Sequence, residues 1–394
     1  MDALTEAGLR RVRARAQGLD VGSPGRKPPG PPAVLRATVG VQAQEDRAAA
    51  LAVRVRAPGA TAAGVAACVD AGEAVVTWTL RGTRHLHAVE DVRPLLALLG
   101  PSHATAPGRA AALGIDGAVG EAAQRALRRA LTGGPLGRAA VKELLAPVGV
   151  DPSGQAPVHV IRRAALEGAL VVLPGAEERY VAFDDVVPRP GPAWPPSSPS
   201  SPSPSGSSRR RDAEVDLEVV AAKLARRHLR AFGPVAVEDL AAWAGLPRGR
   251  ARAAWRAIAD ELAEVATPLG PRWVLAAGLA GVAAAAGSGP AGCRLLPAFD
   301  GLLLGYTDRR WLVPDAHVRR VNAGGGLVRP TVLVDGAVVG TWRLRRARAR
   351  SGTPAVVEVA PFVQGTGAVP GLEAEVDDVA RFLGTPVVLA AAAR

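Results

Sequence analysis

Apolar positions return along this chain in two rhythms. Around Thr5–Gln17, Glu121–Leu131, Val215–Phe232 and Pro247–Leu262 the pattern is that of a helix with one buried face. Around Ala74–Leu80, Thr83–Ala88, Ala169–Phe183 and Glu264–Leu275 it becomes short β-branched runs, broken by Arg81-Gly82, Pro174-Gly175 and Gly270-Pro271, which read as hairpins. The rhythms alternate in a fixed order. Helix 121–131, a break at Gly134-Pro135, a short helix Arg138–Leu145, a third helix Pro157–Glu167 and a hairpin follow one another. The order recurs as Val215–Phe232, a break at Gly233-Pro234, Val237–Ala244, Pro247–Leu262 and a hairpin. The first hundred residues read alike, with helices at Thr5–Gln17, Pro32–Gln44 and Thr61–Ala71 before the hairpin tipped by Arg81-Gly82.

Three helices followed by a two-stranded wing is the order of a winged helix, a variant of helix-turn-helix. The expected fold is therefore α+β, with three tandem winged-helix units over residues 1–110, 111–187 and 212–289. Residues 290–394 form a β-rich C-terminal domain, in which Thr331–Leu344 reads as a hairpin about Asp335-Gly336. A helix at Glu373–Leu383 and a strand at Val387–Leu389 close the chain. Between the second and third units, residues 188–211 alternate proline with serine and end in Arg209, Arg210 and Arg211, the composition of a flexible linker.

Charge adds a partner. Of 48 basic residues only Lys27, Lys142 and Lys223 are lysines, and the formal net charge is +12, which suits a polyanion. A GC-rich coding sequence also raises arginine content, so placement carries more weight than number. Arg162 and Arg163 fall on the third helix of the second unit, and Arg248, Arg250, Arg252 and Arg256 on that of the third. Phosphate contact is the default role there, and repeated basic winged helices favour double-stranded DNA over RNA or membrane. Cys68 and Cys293 carry no pattern, which excludes a disulfide framework and points to a reducing cytoplasm. The apolar Val274–Gly287 stretch is shorter than the roughly 20 residues a membrane span needs, so no membrane role is expected. No signal peptide is read at the N-terminus.

Common catalytic motifs are missing: no Walker loop, no Gly-x-Ser-x-Gly elbow, no His-Glu-x-x-His. His85 and His87 share a strand face without a third ligand, which favours packing or phosphate contact over a metal; no metal or cofactor is expected. His228, among Arg226, Arg227 and Arg230, reads as part of a basic helix face. In Gly40-Val-Gln42-Ala-Gln44-Glu45-Asp46, two glutamines flank an alanine. They are either solvated or capping amides, or a pair that orients a water or a base edge, since an amide both donates and accepts.

Taken as a set, Gly40–Gln44, Thr77–Leu86, Leu296–Asp300 with Leu304–Arg309, and Val328–Gly336 with Val339–Arg343 resemble the winged-helix DNA glycosylases of the AlkZ and YcaQ type. The resemblance spans nearly the whole chain except the proline-serine linker. It implies tandem winged helices and a β-rich C-terminal domain around a DNA-binding cleft. It also implies monofunctional removal of bulky N-alkylated purines or unhooking of interstrand crosslinks, in repair or in self-resistance to a DNA-alkylating natural product. The family's catalytic motif is Gln, an apolar residue, then Gln or Asp, which falls on Gln42, Ala43 and Gln44.

Two amides cannot act as a base at neutral pH, but an N7- or N3-alkylated purine already carries positive charge and leaves as a neutral molecule. The enzyme then has mainly to hold the lesion and aim a water at C1′. Glu45 and Asp46 are the rival carboxylates, or they pair with nearby arginines. Arg81, Arg84 and His85 at the hairpin tip are expected to meet DNA, as are Arg309 and Arg343. Asp300, Tyr306, Asp308 and Trp342 are candidates for the cleft lining, with Phe299 and Trp342 equally suited to the core. The competing reading is a non-enzymatic winged-helix transcriptional regulator. A regulator would usually dimerise on a pseudo-palindrome, whereas this many units in one chain suit a monomer enclosing a duplex.

Overall fold

The first break in the helical pattern shapes the molecule most. Helix α1 (Glu6–Ala16) starts where the Thr5 hydroxyl accepts from Gly8 N at 3.0 Å, and α2 (Pro31–Thr38) starts on a proline, which needs no N–H there. The second helix was expected to reach Gln44. It stops six residues earlier because Val39 (φ 57°) and Gly40 (φ 84°) both turn left-handed. A Cβ at position 40 would lie 2.3 Å from His87 Nδ1 and 2.9 Å from the Leu86 carbonyl oxygen, so only glycine lets the two backbones meet. The chain emerges extended, and β1 (Val41–Gln42) pairs antiparallel with β3 (Arg84–Ala88), Gln42 opposite His85.

The computed structural model describes residues 3–20, 28–104, 106–175, 177–188, 216–289, 292–345, 354–363 and 369–390. Of the linker, residues 189–211, including Arg209–Arg211, lie outside the described residues. After β1 comes a helix the pattern did not predict, α3 (Asp46–Arg54), then α4 (Ala62–Asp70), β2 (Ala74–Trp78) and β3. The second segment holds α5 (Val89–Ala104), α6 (Pro107–Ala112), α7 (Gly117–Leu131), β4 (Leu136–Gly137), α8 (Arg138–Leu145), α9 (Ala156–Leu166), β5 (Leu170–Leu173), β6 (Arg179–Ala182) and α10 (Phe183–Val186). The two hairpins meet where Val76 opposes Val172, which fuses them into one six-stranded sheet of order β1-β3-β2-β5-β6-β4.

Past residue 215, α11 (Leu217–Phe232), α12 (Val237–Ala244) and α13 (Arg248–Arg256) precede β7 (Leu262–Thr267) and β8 (Gly270–Leu275), which form a separate hairpin. The third of these helices ends six residues before the expected Leu262. Then follows α14 (Leu279–Ala286). Among the described residues no helix is long and apolar enough to cross a membrane. The C-terminal part contains β9 (Cys293–Leu296), α15 (Gly301–Leu304), α16 (Val318–Val321), a small hairpin of β10 (Asn322–Gly324) and β11 (Leu327–Val328), then β12 (Thr331–Val334), β13 (Ala337–Arg345), β14 (Ala355–Pro361), α17 (Leu372–Leu383) and β15 (Val387–Leu389). Its five-stranded sheet has the order β15-β14-β13-β12-β9, antiparallel except for β14 with β15. The Asp335-Gly336 turn joins β12 to β13 as the sequence predicts. Trp342 is core: it is buried, and its indole N–H donates to the Leu296 carbonyl at 2.7 Å.

Two apolar cores result. One gathers the six-stranded sheet, its helices and the inner face of the C-terminal sheet, with Val75, Leu127, Val171 and Phe382 at its centre. The other joins α1 to α11–α14 and the start of the C-terminal part through Leu9, Leu224, Phe232 and Leu302. Helix α1 therefore packs on α11 and α14 rather than on the hairpin of its own segment.

Candidate active site

Strand β1 sits at the junction of these bodies, with different surroundings on its two sides. Gln42 is half-buried on a crevice of about 20 Å³, which is room for a single water. Thr38, Arg56, Arg81, Trp243 and Phe299 contribute to its walls, and among the described residues no carboxylate lines it. Ala43 faces the other way, into an apolar groove of about 770 Å³ between α3, α4 and the C-terminal sheet. That groove is far roomier than the crevice, yet alanine and valine dominate its walls and neither glutamine reaches it, so the candidate chemistry belongs to the crevice. Gln44, two residues past Gln42, is exposed.

Below the crevice lies a polar knot that the sequence did not reveal. Arg56 and Asp300 form a bidentate pair (2.7 and 2.8 Å) with both side chains almost fully buried. The Gln17 amide oxygen accepts from Arg56 at 3.0 Å, while its NH2 donates to the Ala231 carbonyl at 2.6 Å. Asp300 also accepts from Leu302 N at 2.9 Å and so caps α15. Four chain segments are thereby tied together under Gln42 by groups that leave few polar atoms unsatisfied. Asp300 was a candidate for the cleft lining; it lies beneath it. Tyr306 is equally internal: its hydroxyl donates to the Phe232 carbonyl at 2.9 Å and the Arg13 guanidinium stacks 4.2 Å from its ring.

The hairpin tip was expected to project as an exposed wing toward DNA. It is packed instead. Residues 80–82 form a tight turn in which Arg81 is left-handed (φ 55°). Arg81 turns inward, donating from one NH2 group to Gln42 Oε1 at 2.8 Å and from the other to the Trp243 carbonyl at the end of α12. The contact with α12 is close enough to require glycine at 245, where a Cβ would stand 2.8 Å from Arg81 Cα. From the second segment Arg162 Nε donates to the Gly82 carbonyl at 3.2 Å. Burial, with Arg309 nearby, pushes Arg81 down to about 10, still charged at neutral pH.

The other expected contacts divide. Arg84 bonds Glu178 at 2.6 Å and approaches Asp46 at 3.6 Å, its guanidinium 5.5 Å from the Trp78 ring centre. His85 is buried, Nδ1 donating to the Thr83 carbonyl at 3.0 Å, and burial holds it well below the usual imidazole range. His87 stacks on it with 5.6 Å between ring centres and is bonded through Nε2 to the Thr79 hydroxyl at 2.7 Å. Among the described residues no group of three metal-binding side chains exists. His228 is not on a basic face; it is fully buried against Phe232 and Trp243, at 5.0 and 4.9 Å.

Arg163 pairs with Glu121 (2.6 Å) and Glu167 (2.8 Å), and Arg343 with Glu358. Arg309 is half-buried beside Arg81 and donates only weakly, to the Tyr306 carbonyl at 3.3 Å. By contrast Arg248, Arg250, Arg252 and Arg256 stand exposed along α13 and bond no side chain among the described residues. Asp46 is turned to Arg84 and to the apolar groove, and burial raises its carboxyl above the usual value against the pull of Arg84. Glu45 is exposed at the start of α3.

Gln42 is thus held at a junction of helical segments, with the guanidinium of Arg81 bonded to its amide oxygen. The profile of the AlkZ-like DNA glycosylases matches residues 35–382, and the chain belongs to that family, which makes it a DNA glycosylase. Among solved structures, the DNA glycosylase AlkZ of Streptomyces sahachiroi is similar over 99% of this chain and 100% of that one, with a TM-score of 0.75 and 25% sequence identity. No curated relative matches the chain.

Proposed function

We propose that this glycosylase hydrolyses the N-glycosidic bond of bulky, cationic N-alkylated purines of the N7-alkylguanine type, or unhooks crosslinks built from them, with Gln42 and Gln44 as the catalytic pair. The observation that carries the proposal is the crevice itself, which offers an amide and space for one water but, among the described residues, no carboxylate on its walls. Such a site has no acid to protonate a neutral leaving base and no anion of its own to face an oxocarbenium-like state. It suits a base that departs neutral because alkylation has already charged it. The work left to the protein is to position one water at C1′, and orientation of this kind is worth several kcal/mol. The phosphates flanking the lesion bring the negative charge that the crevice lacks. Asp46 is a poorer base, being directed to Arg84 and the opposite side of β1.

In the same reading residues 1–110, 111–187 and 212–289 are three winged helices with a β-rich domain closing over duplex DNA, and the enzyme works as a monomer. The exposed arginines of α13 supply the sequence-independent grip, with Arg309 beside Arg81. Self-resistance to an alkylating metabolite and general alkylation repair are both served by this chemistry.

The test is incubation of the purified protein with duplex carrying a single N7-alkylguanine, followed by alkali to reveal abasic sites. Base release is expected, lowered about 100-fold or more by Gln42→Ala and at least tenfold by Gln44→Ala. No release from several such adducts, or undiminished release by the double variant, refutes the assignment.

A further inference from the structure

We infer that Arg81 is the positioning residue for Gln42 and that it ties the orientation of this amide to the seating of α12, an inference that rests on the glutamine reading above. A terminal amide rotates between two orientations of similar energy that differ by exchange of its oxygen and nitrogen. A guanidinium has donors only, so the atom 2.8 Å from Arg81 can be nothing but Oε1. One rotamer of the amide is selected, with the NH2 group on the opposite edge and one oxygen lone pair still open. A second bond, to the Trp243 carbonyl, fixes the guanidinium itself.

Three features argue against an incidental contact. Among the described residues no carboxylate pairs with Arg81, although arginine–carboxylate pairs tie this chain together in many other places, Arg54 with Glu375, Arg56 with Asp300 and Arg227 with Asp91 among them. A shielded cation beside Arg309 without an anion is costly, and it persists where the surroundings compel it. The backbone of Arg81 is left-handed, a conformation a side chain-bearing residue adopts at a cost and one that gathers at functional turns. The turn is also held from both sides, by Arg162 on the Gly82 carbonyl and by the bare Gly245 against Arg81 Cα.

Single-turnover base release from N7-methylguanine duplex, binding to undamaged duplex, and the side-chain amide resonances of 15N-glutamine-labelled protein test this together. Arg81→Gln is expected to slow release 10- to 100-fold with duplex affinity changed less than threefold, and to shift the Gln42 amide pair in the spectrum. Arg81→Lys, which keeps a donor but cannot bridge both carbonyls, is expected to fall between. In a Gln42→Ala background Arg81→Gln should cost nothing further, since it acts through that amide. If Arg81→Gln fails to fold, Arg81→Lys carries the same three readings. Full additivity with Gln42→Ala, or a Gln42 resonance pair indifferent to both variants, overturns the inference. Should wild-type protein release no N7-methylguanine, the substrate reading falls, while the resonances still decide the Arg81–Gln42 link.

Discussion

Gln42 owes its place to one glycine and its orientation to one arginine. Gly40 was legible only as part of the Gly-Val-Gln-Ala-Gln string; why it must be glycine was not, because the partner that excludes a Cβ, His87, lies 47 residues further on. Gly40→Ala combines a left-handed backbone with overlap onto a carbonyl and an imidazole, and it should destabilise the protein by about 2–4 kcal/mol. A lowered urea midpoint at unchanged slope is the expected readout, and a midpoint within error of wild type would contradict the packing described. The inward Arg81, the Arg56–Asp300 pair and the buried His228 were all illegible. Sequence presents these as charged or polar residues to be solvated. Their burial is decided by tertiary partners that no local pattern announces, such as Asp300, 244 positions from Arg56.

Elements were far easier to read than side chains. Arg138–Leu145 and Val237–Ala244 have the observed bounds, because glycine or proline punctuates them and apolar spacing fills them. The pattern failed around residues 39–54, where a left-handed pair ends α2 early and an alanine-rich run hides α3 among apolar neighbours. Helix α13 carries the clearest consequence for binding. Its Arg248, Arg250 and Arg252 are exposed and form no ion pair among the described residues, whereas Arg163 and Arg343 are paired with glutamates. Replacing the three with alanine should lower the slope of log K against log salt by about 0.9 for each phosphate lost, with little change in the rate of base release from bound duplex. The same measurement on Arg163→Ala should show a smaller change in slope. Equal slopes for the triple variant and wild type would exclude α13 from the interface.

At the scale of the whole molecule the family resemblance held across the chain, from residue 35 to 382 in the profile and end to end in the AlkZ fold. Two histidines are kept neutral by burial: His87 on β3 and His228 on α11, packed against Trp243 of α12, are both pushed down to about 4. The unfolded chain takes up these protons near pH 6.5 and the folded one does not, so stability is complete above that value and falls as pH drops toward 4. Each histidine withdraws about 1.4 kcal/mol per pH unit in that window. Thermal melting should be level from pH 8 to 7 and decline steeply from 6.5 to 5; a flat profile down to pH 5 would be inconsistent with neutral burial.

The fused sheet has a further consequence, for behaviour at high concentration. Joining β2 to β5 turns two hairpin margins inward, and the strands left at the rims, β1 and β4, are two residues long each. A rim that short offers a foreign strand almost no ladder of free N–H and C=O groups to extend. This half of the molecule is thereby guarded against edge-to-edge aggregation by its own topology, without charged or proline gatekeepers on a long exposed strand.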